Sequence, residues 1–266
     1  MKIYIYRGIL SLLILMGFNS CRKYDYDNGI TTFGEVFFLS QNIVSDLSVK
    51  VNNTTIDWQA ATGRIRVPEG KYTFIFYDKS SGKDVGEKTV NVVAGSPETY
   101  NLFQPTENDP VAFLNPNGQT NEEAANDGFI KLKIANYAGD LIPDELDIVV
   151  LGLNMSMETV ELVTLESVTN NIGEEQYRQV PTGGSDILAY TFKFRNRKTQ
   201  LFVKNHGGDD YWNQNLFIYP ESMSPIPEKR VYTIYLRAIE QWGEFPAFIK
   251  SGDKYYDINP EILYAD

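Results

Sequence analysis

Cysteine and histidine are almost absent: the 266 residues hold one of each, Cys21 and His206. An internal disulfide is therefore excluded, as is any paired Cys-x-x-Cys set for zinc or redox work. No His-Glu-x-x-His, no phosphate-cradling Gly loop and no Gly-x-Ser-x-Gly elbow occurs. Any Ser-His or Cys-His scheme would rest on His206 alone. Basic charge is also short, with 24 Lys and Arg against 35 Asp and Glu. Such a surface repels phosphate backbones, and the longest basic cluster, Arg195-Asn196-Arg197-Lys198, suits an exposed hairpin tip. No nucleic acid, no cofactor and no metal is expected. Alanine-rich amphipathic stretches are missing too, and no apolar run reaches the roughly 20 residues of a spanning helix.

What is present starts at the N-terminus. Lys2 and Arg7 precede an apolar core from Ile9 to Met16, and Gly17-Phe18-Asn19-Ser20 leads to Cys21. These are the parts of an export signal. Phe18 is too bulky at −3 for an ordinary secretory cleavage site. A bulky apolar residue at −3, a small one at −1 and cysteine at +1 resemble the bacterial lipobox, although Asn19 departs from the usual small residue at −2. The resemblance implies that Cys21 is lipidated and becomes the mature N-terminus, which also accounts for an odd thiol in an exported chain. One acyl chain binds a membrane only marginally, at about 0.8 kcal/mol per buried CH₂, and the several that lipoproteins carry make a permanent tether. Arg22-Lys23-Tyr24-Asp25-Tyr26-Asp27 is similar to the surface-export signal of Bacteroidetes lipoproteins, with Tyr24 and Tyr26 interrupting the acids. An outer-membrane address follows, with the cell surface favoured over the periplasmic face. Removal of Lys2 and Arg7 leaves 22 basic residues against 35 acids, a mature net charge of −13.

Beyond the tether (21–32) the grammar is that of sheets. The chain has 17 Tyr and 15 Phe, and turn formers recur at short intervals. Glu35–Leu39, Leu47–Val51 (ending at Asn52-Asn53), Arg64–Val67, Lys71–Tyr77, Lys88–Val93 and Thr99–Phe103 read as strands of a small antiparallel sandwich, residues 33–104. Residues 105–127 are polar and breaker-rich, with one apolar patch at Val111–Leu114, and read as a linker touching one of its neighbours. Residues 128–266 then repeat the order. Gly128–Ile134 stands for Gly34–Leu39, and Glu145–Val150 for Asp46–Val51. Val180-Pro181-Thr182-Gly183 echoes Val67-Pro68-Glu69-Gly70. Ala189–Phe194 follows as Lys71–Phe76 did, and Tyr232–Leu236 after Pro227-Glu228 matches Tyr100–Leu102 after Pro97-Glu98. Five matches in one order point to a duplicated module, against the alternative of a shared hairpin grammar. The expected fold is all-β, two immunoglobulin-like antiparallel β-sandwiches in tandem behind a lipoprotein signal peptide (1–20). This layout resembles the surface lipoproteins of gut Bacteroidetes built from repeated immunoglobulin-like domains of unknown function; the likeness implies a fold and an address and transfers no site.

Chemistry is sparse. His206 lies in Asn205-His206-Gly207-Gly208-Asp209-Asp210, better read as a solvated Gly-Gly loop than as a metal site. Asp209 and Asp210 with Asn205, Asn213 and Asn215 could offer oxygens to calcium, but without EF-hand spacing. The scattered acids serve a glycosidase poorly as evidence, because any acidic β-protein has them. Aromatics among polar residues are more informative. Tyr211-Trp212 and Trp242 stand beside Asp, Asn and Glu, as rings of a sugar cleft do, though core is the commoner fate of a tryptophan. Trp58, before Ala60-Ala61, is a stronger core candidate. The expected function is a non-catalytic lipoprotein that binds a glycan, or a partner protein of an outer-membrane uptake complex, through Tyr211, Trp212 and Trp242. A fimbria-associated structural subunit is the alternative, and a carboxylate glycosidase comes last. Replacing Cys21 by Ser should abolish incorporation of labelled palmitate and release the chain from membranes; label in the mutant would defeat the lipid reading.

Overall fold

The computed structural model describes residues 31–56, 58, 62–218 and 227–266. Cys21 and the signal peptide lie outside the described residues. Among those described, no helix is long and apolar enough to cross a membrane.

The first sandwich is built from β1 (Phe33–Asn42), β2 (Leu47–Val51), β3 (Thr54–Ile56), β4 (Arg64–Pro68), β5 (Gly70–Asp78), β6 (Asp84–Val92), β7 (Glu98–Phe103) and β8 (Ala112–Leu114). One sheet runs β4-β1-β7-β8 and the other β3-β2-β5-β6. β1 pairs antiparallel with β4 but parallel with β7. Period-two alternation turns Leu47, Val49 and Val51 inward to meet Phe74 and Phe76 across the β2–β5 ladder. Asn52 and Asn53 both take positive φ, 47° and 66°, making the two-residue hairpin turn that Asn tolerates and most residues do not. Trp58 belongs to this core, edge-on to Phe76 at 5.4 Å.

The second sandwich repeats the plan with β9 (Phe129–Asn136), β10 (Leu146–Asn154), β11 (Thr159–Val168), β12 (Arg178–Pro181), β13 (Ile187–Asn196), β14 (Phe217–Ile218), β15 (Val231–Gln241), β16 (Ile249–Ser251) and β17 (Lys254–Ala265). Its sheets run β12-β9-β15-β17-β16 and β11-β10-β13-β14. Each of the first eight strands has a counterpart in the same place, including a parallel pair, β9 with β15. Registers agree as well. Pro68 pairs with Phe33 and Pro181 with Phe129. Val49 pairs with Phe76 as Ile148 pairs with Phe194. The final match is offset by two residues: Phe38 meets Tyr100, whereas the corresponding Ile134 meets Ile234. The chain is thus all-β, two immunoglobulin-like sandwiches in tandem.

Residues 105–127 do more than link. β8 lies inside that stretch and adds a fourth strand to one sheet of the first sandwich, with Val111 buried in the core. Farther on, buried Gln119 donates to the carbonyl of Val231 and accepts from Thr233, and the Tyr264 hydroxyl donates to the carbonyl of Asn115. The segment is therefore fastened to both sandwiches, because its few apolar and amide side chains find partners on each. β17 also escapes a sequence reading, since Pro260 interrupts it. The proline is tolerated because β16 pairs only with Lys254–Tyr256, leaving the Pro260 side of β17 at the sheet edge.

Phe103 joins the two halves. Its ring lies 5.5 Å from that of Tyr137 and 5.0 Å from that of Tyr235, both edge-on, and Leu263 completes the cluster. Phe103→Ala should cost about 3–5 kcal/mol, as for a core phenylalanine, and open residues 105–127 to protease. A mutant that melts and resists cleavage like the parent would show that this contact does not couple the sandwiches.

Candidate functional site

Of the three rings picked out from sequence, Tyr211 is core. It is fully buried and stacks on Phe194 at 5.8 Å. Its hydroxyl donates to Asp257 at 2.5 Å and accepts from the Ile258 N–H at 2.7 Å. Burial first, then the Asp257 charge, drives the hydroxyl's pKa far up. Asp257 also accepts from the backbone N–H groups of Gln214 and Asn215, and from the Asn215 side chain. Buried Asn213 accepts from the Phe192 N–H at 2.6 Å and from the Thr191 hydroxyl. Residues 211–215 thus form a polar knot pinning a loop across the sandwich edge, which takes Tyr211 out of any ligand site. Trp212 is half-buried and bridges to Lys193. Lys193 alternates with the inward Phe192 and Phe194, so Trp212 sits on the outer face of β13.

Trp242 is different. It follows β15 directly, in the other sheet, and its ring is fully exposed. The structure therefore does not bring Trp212 and Trp242 together. With Glu240, Gln241, Asp253, Lys254 and Tyr255, Trp242 lines a cleft of about 500 Å³. Phe245, also exposed, stands nearby in sequence and packs on Phe248.

The loop after Trp242 is stapled to the Gly-Gly loop. His206 N–H donates to the Phe248 carbonyl at 2.7 Å, and Gly207 N–H to that of Pro246 at 2.9 Å. His206 Nε2 lies 2.8 Å from Glu244 Oε1, and its ring meets Tyr255 edge-on at 5.3 Å. The His206 bond holds the Glu244 carboxyl below the usual range. His206 therefore helps to fix the floor beside Trp242, a role the flanking glycines concealed in the sequence. Lys254 pairs with Glu240 at 2.6 Å, and this partner raises the lysine's pKa. Residues of three separate loops meet at this end of the second sandwich.

Other candidates dissolve. Asn205 Oδ1 accepts from the Asp209 N–H, while Asp210 is held by Lys204 at 2.6 Å. Asn213 Oδ1 is taken up in the knot, and among the described residues no group of His, Cys, Asp and Glu could hold a metal. Ser-x-x-Lys spacing, expected to be absent, does occur: at Ser251 and Lys254, where Glu240 engages the lysine, and at Ser80 and Lys83. The latter two lie in the β5–β6 turn, where the Ser80 and Ser81 hydroxyls donate to Asp78.

No family profile matches the chain, and no curated protein does. Among solved structures, a streptococcal virulence factor described as binding alpha-glucan aligns over 77 % of this chain and 93 % of its own, at 11 % identity and a TM-score of 0.24. A family 26 carbohydrate-binding module from Eubacterium rectale Amy13K, solved with maltoheptaose, aligns over 87 % of this chain and 98 % of its own, at 8 % identity and a TM-score of 0.23. A laminaripentaose-producing β-1,3-glucanase from Paenibacillus barengoltzii covers 67 % of this chain and 45 % of its own, at 14 % identity and 0.19. Likeness at these TM-scores assigns neither a family nor a ligand.

Tyr211→Phe should destabilise the chain by about 1–3 kcal/mol, because Asp257 and the Ile258 N–H each lose a partner. Trp242→Ala should move stability by no more than about 0.5 kcal/mol, as for an exposed side chain. Melting curves separate the two. They also carry a pH signature. A tyrosine pKa raised by folding gives stability that is complete below about pH 10, the unfolded value, and falls as pH rises beyond it. Tyr211→Phe should therefore lose stability less steeply above pH 10 than the parent; equal slopes would contradict the buried-hydroxyl account.

Proposed function

We propose that the chain is a lipid-anchored, non-catalytic binding protein that holds a neutral glycan in the cleft beside Trp242. The observation that carries this reading is one fully exposed tryptophan at the end of a long, well-paired strand, with donors and acceptors around it. Exposing a ring of that size to water is unfavourable by roughly 25 cal/mol per Å² of apolar area, which a ligand covering it would recover. A sugar presents an apolar face to such a ring while its hydroxyls meet Gln241, Glu240, Asp253 and Lys254. The tether on Cys21 would hold the cleft at the outer membrane, toward the exterior.

Two features support binding without turnover. A glycosidase needs one carboxyl held protonated by a raised pKa. Here Glu244 is pulled the other way by His206, and Glu240 is paired with Lys254. The full-length chain on a glycan array should show retention of neutral glycans, and Trp242→Ala should weaken it by about 1–3 kcal/mol without lowering the melting temperature. Release of reducing ends from a bound glycan would overturn the non-catalytic part. Retention unchanged in Trp242→Ala would overturn the site.

A further inference from the structure

The Trp242 cleft does not end at Tyr255. A second cleft of about 560 Å³ lies at the junction of the sandwiches, walled by Val44, Pro105 and Glu107 on one side and by Tyr137, Arg237 and Ile239 on the other. It shares Glu240 with the Trp242 cleft. A third, of about 550 Å³, lies at the end of the first sandwich and shares Val44 and Glu107 with the second. Neighbouring clefts thus share lining residues, in a series from Trp242 across the junction to the β5–β6 turn.

The middle of this trough has an unusual wall. β9 pairs with β15 only as far as Asn136 opposite Leu236, whereas β17 stays paired with β15 out to Gln241. Arg237–Gln241 thus projects past β9 with one edge open. The Leu236 carbonyl still accepts from the Tyr137 N–H on that side. Alternation along the strand then turns the N–H and C=O of Ala238 and Glu240 toward the open edge, where both residues line the junction cleft. From Arg237 to Trp242 the strand rises roughly 17 Å, longer than a disaccharide.

We propose that the ligand is a linear, neutral oligosaccharide that lies along this projecting edge, with one sugar on Trp242 and the following ones in the junction cleft. This rests on the glycan reading above and deepens it to a chain-length requirement. Hydroxyls both donate and accept, as the backbone groups of Ala238 and Glu240 require in alternation. The acids along the trough, among them Asp46, Asp84, Glu107, Asp109 and Glu240, disfavour an anionic polymer. An added peptide strand is the other occupant an open edge invites, but Arg237 and Glu240 on the stub are the charges that blunt such pairing. Because one wall comes from each sandwich, binding of the long ligand needs the junction intact, while binding of a single sugar does not.

Calorimetry on the full-length chain with malto-, cello-, laminari-, xylo- and manno-oligosaccharides of one to seven units tests this directly. The expected result is affinity for at least one series that rises by about tenfold or more between dimer and hexamer, then levels off. Val44→Trp, which fills the junction cleft, should return the hexamer to the dimer's affinity and leave the dimer unchanged; Thr106→Trp, at the same cleft, serves if Val44→Trp fails to fold. Trp242→Ala should weaken every length alike. Affinity that is flat beyond the dimer, or a hexamer untouched by both filled-cleft variants, overturns the inference and leaves the Trp242 reading standing. Absence of binding in all five series, or binding of oligolysine instead, overturns both.

Discussion

The geometry of the molecule depends on where Phe103 puts its ring. β7 ends at that residue, and the ring leaves the first sandwich to sit edge-on between Tyr137 and Tyr235 of the second. The next residue secures the exit: Gln104 is fully buried, accepts from the Ser45 N–H and donates to the Asp109 carbonyl. A phenylalanine held on its own side by an amide network and on the other by two tyrosines has little freedom to pivot. Tandem sandwiches on a plain linker reorient by default. Here the connecting stretch supplies β8 to one sandwich and Gln119 to the other, so the cleft between them keeps its walls in register.

Much of the architecture could be read from the chain because the duplication is conservative where pairing is densest. Val67-Pro68 and Val180-Pro181 occupy the same register against Phe33-Gly34 and Phe129-Ile130. Tyr72, Phe74 and Phe76 correspond to Tyr190, Phe192 and Phe194 across their partner strands. Local alternation and turn chemistry decide these strands, and both are visible in sequence. β17 was not legible, since Pro260 argues against a strand unless one knows that its other side is an edge. Nor was β8, three residues long and set among prolines and asparagines. Its pairing is decided by β7 alone.

The candidate site was legible only in part, for a physical reason. Tyr211, Trp212 and Trp242 look alike in sequence, each an aromatic among amides and acids. What separates them is what those polar neighbours do. Around Tyr211, Asn213 and Asp257 are buried, with Asn215 bonding Asp257 from the surface, so the ring goes with them into the core. Around Trp242, Gln241 bonds its own strand at Ile239, and Glu240 turns to Lys254 across the hairpin, leaving nothing to draw the indole inward. Asp257 lies 46 residues from Tyr211, and no local pattern could announce that partnership.

The position of the cleft follows from how the second sandwich outgrew the first. β7 has 6 residues and β8 only 3, while their counterparts β15 and β17 have 11 and 12. The extra length of β15 has no partner on the β9 side, because β9 ends at Asn136, two residues short of where its counterpart β1 ends. The added residues could only project, with β17 lengthening beside them and β16 folding back to support their end. Trp242 stands at the tip of that extension, and the junction cleft lies along its open flank. Where the two copies agree, their side chains serve packing. The exposed ring, the unpaired edge and the stapled His206 loop all belong to the part of the second copy that has no counterpart in the first.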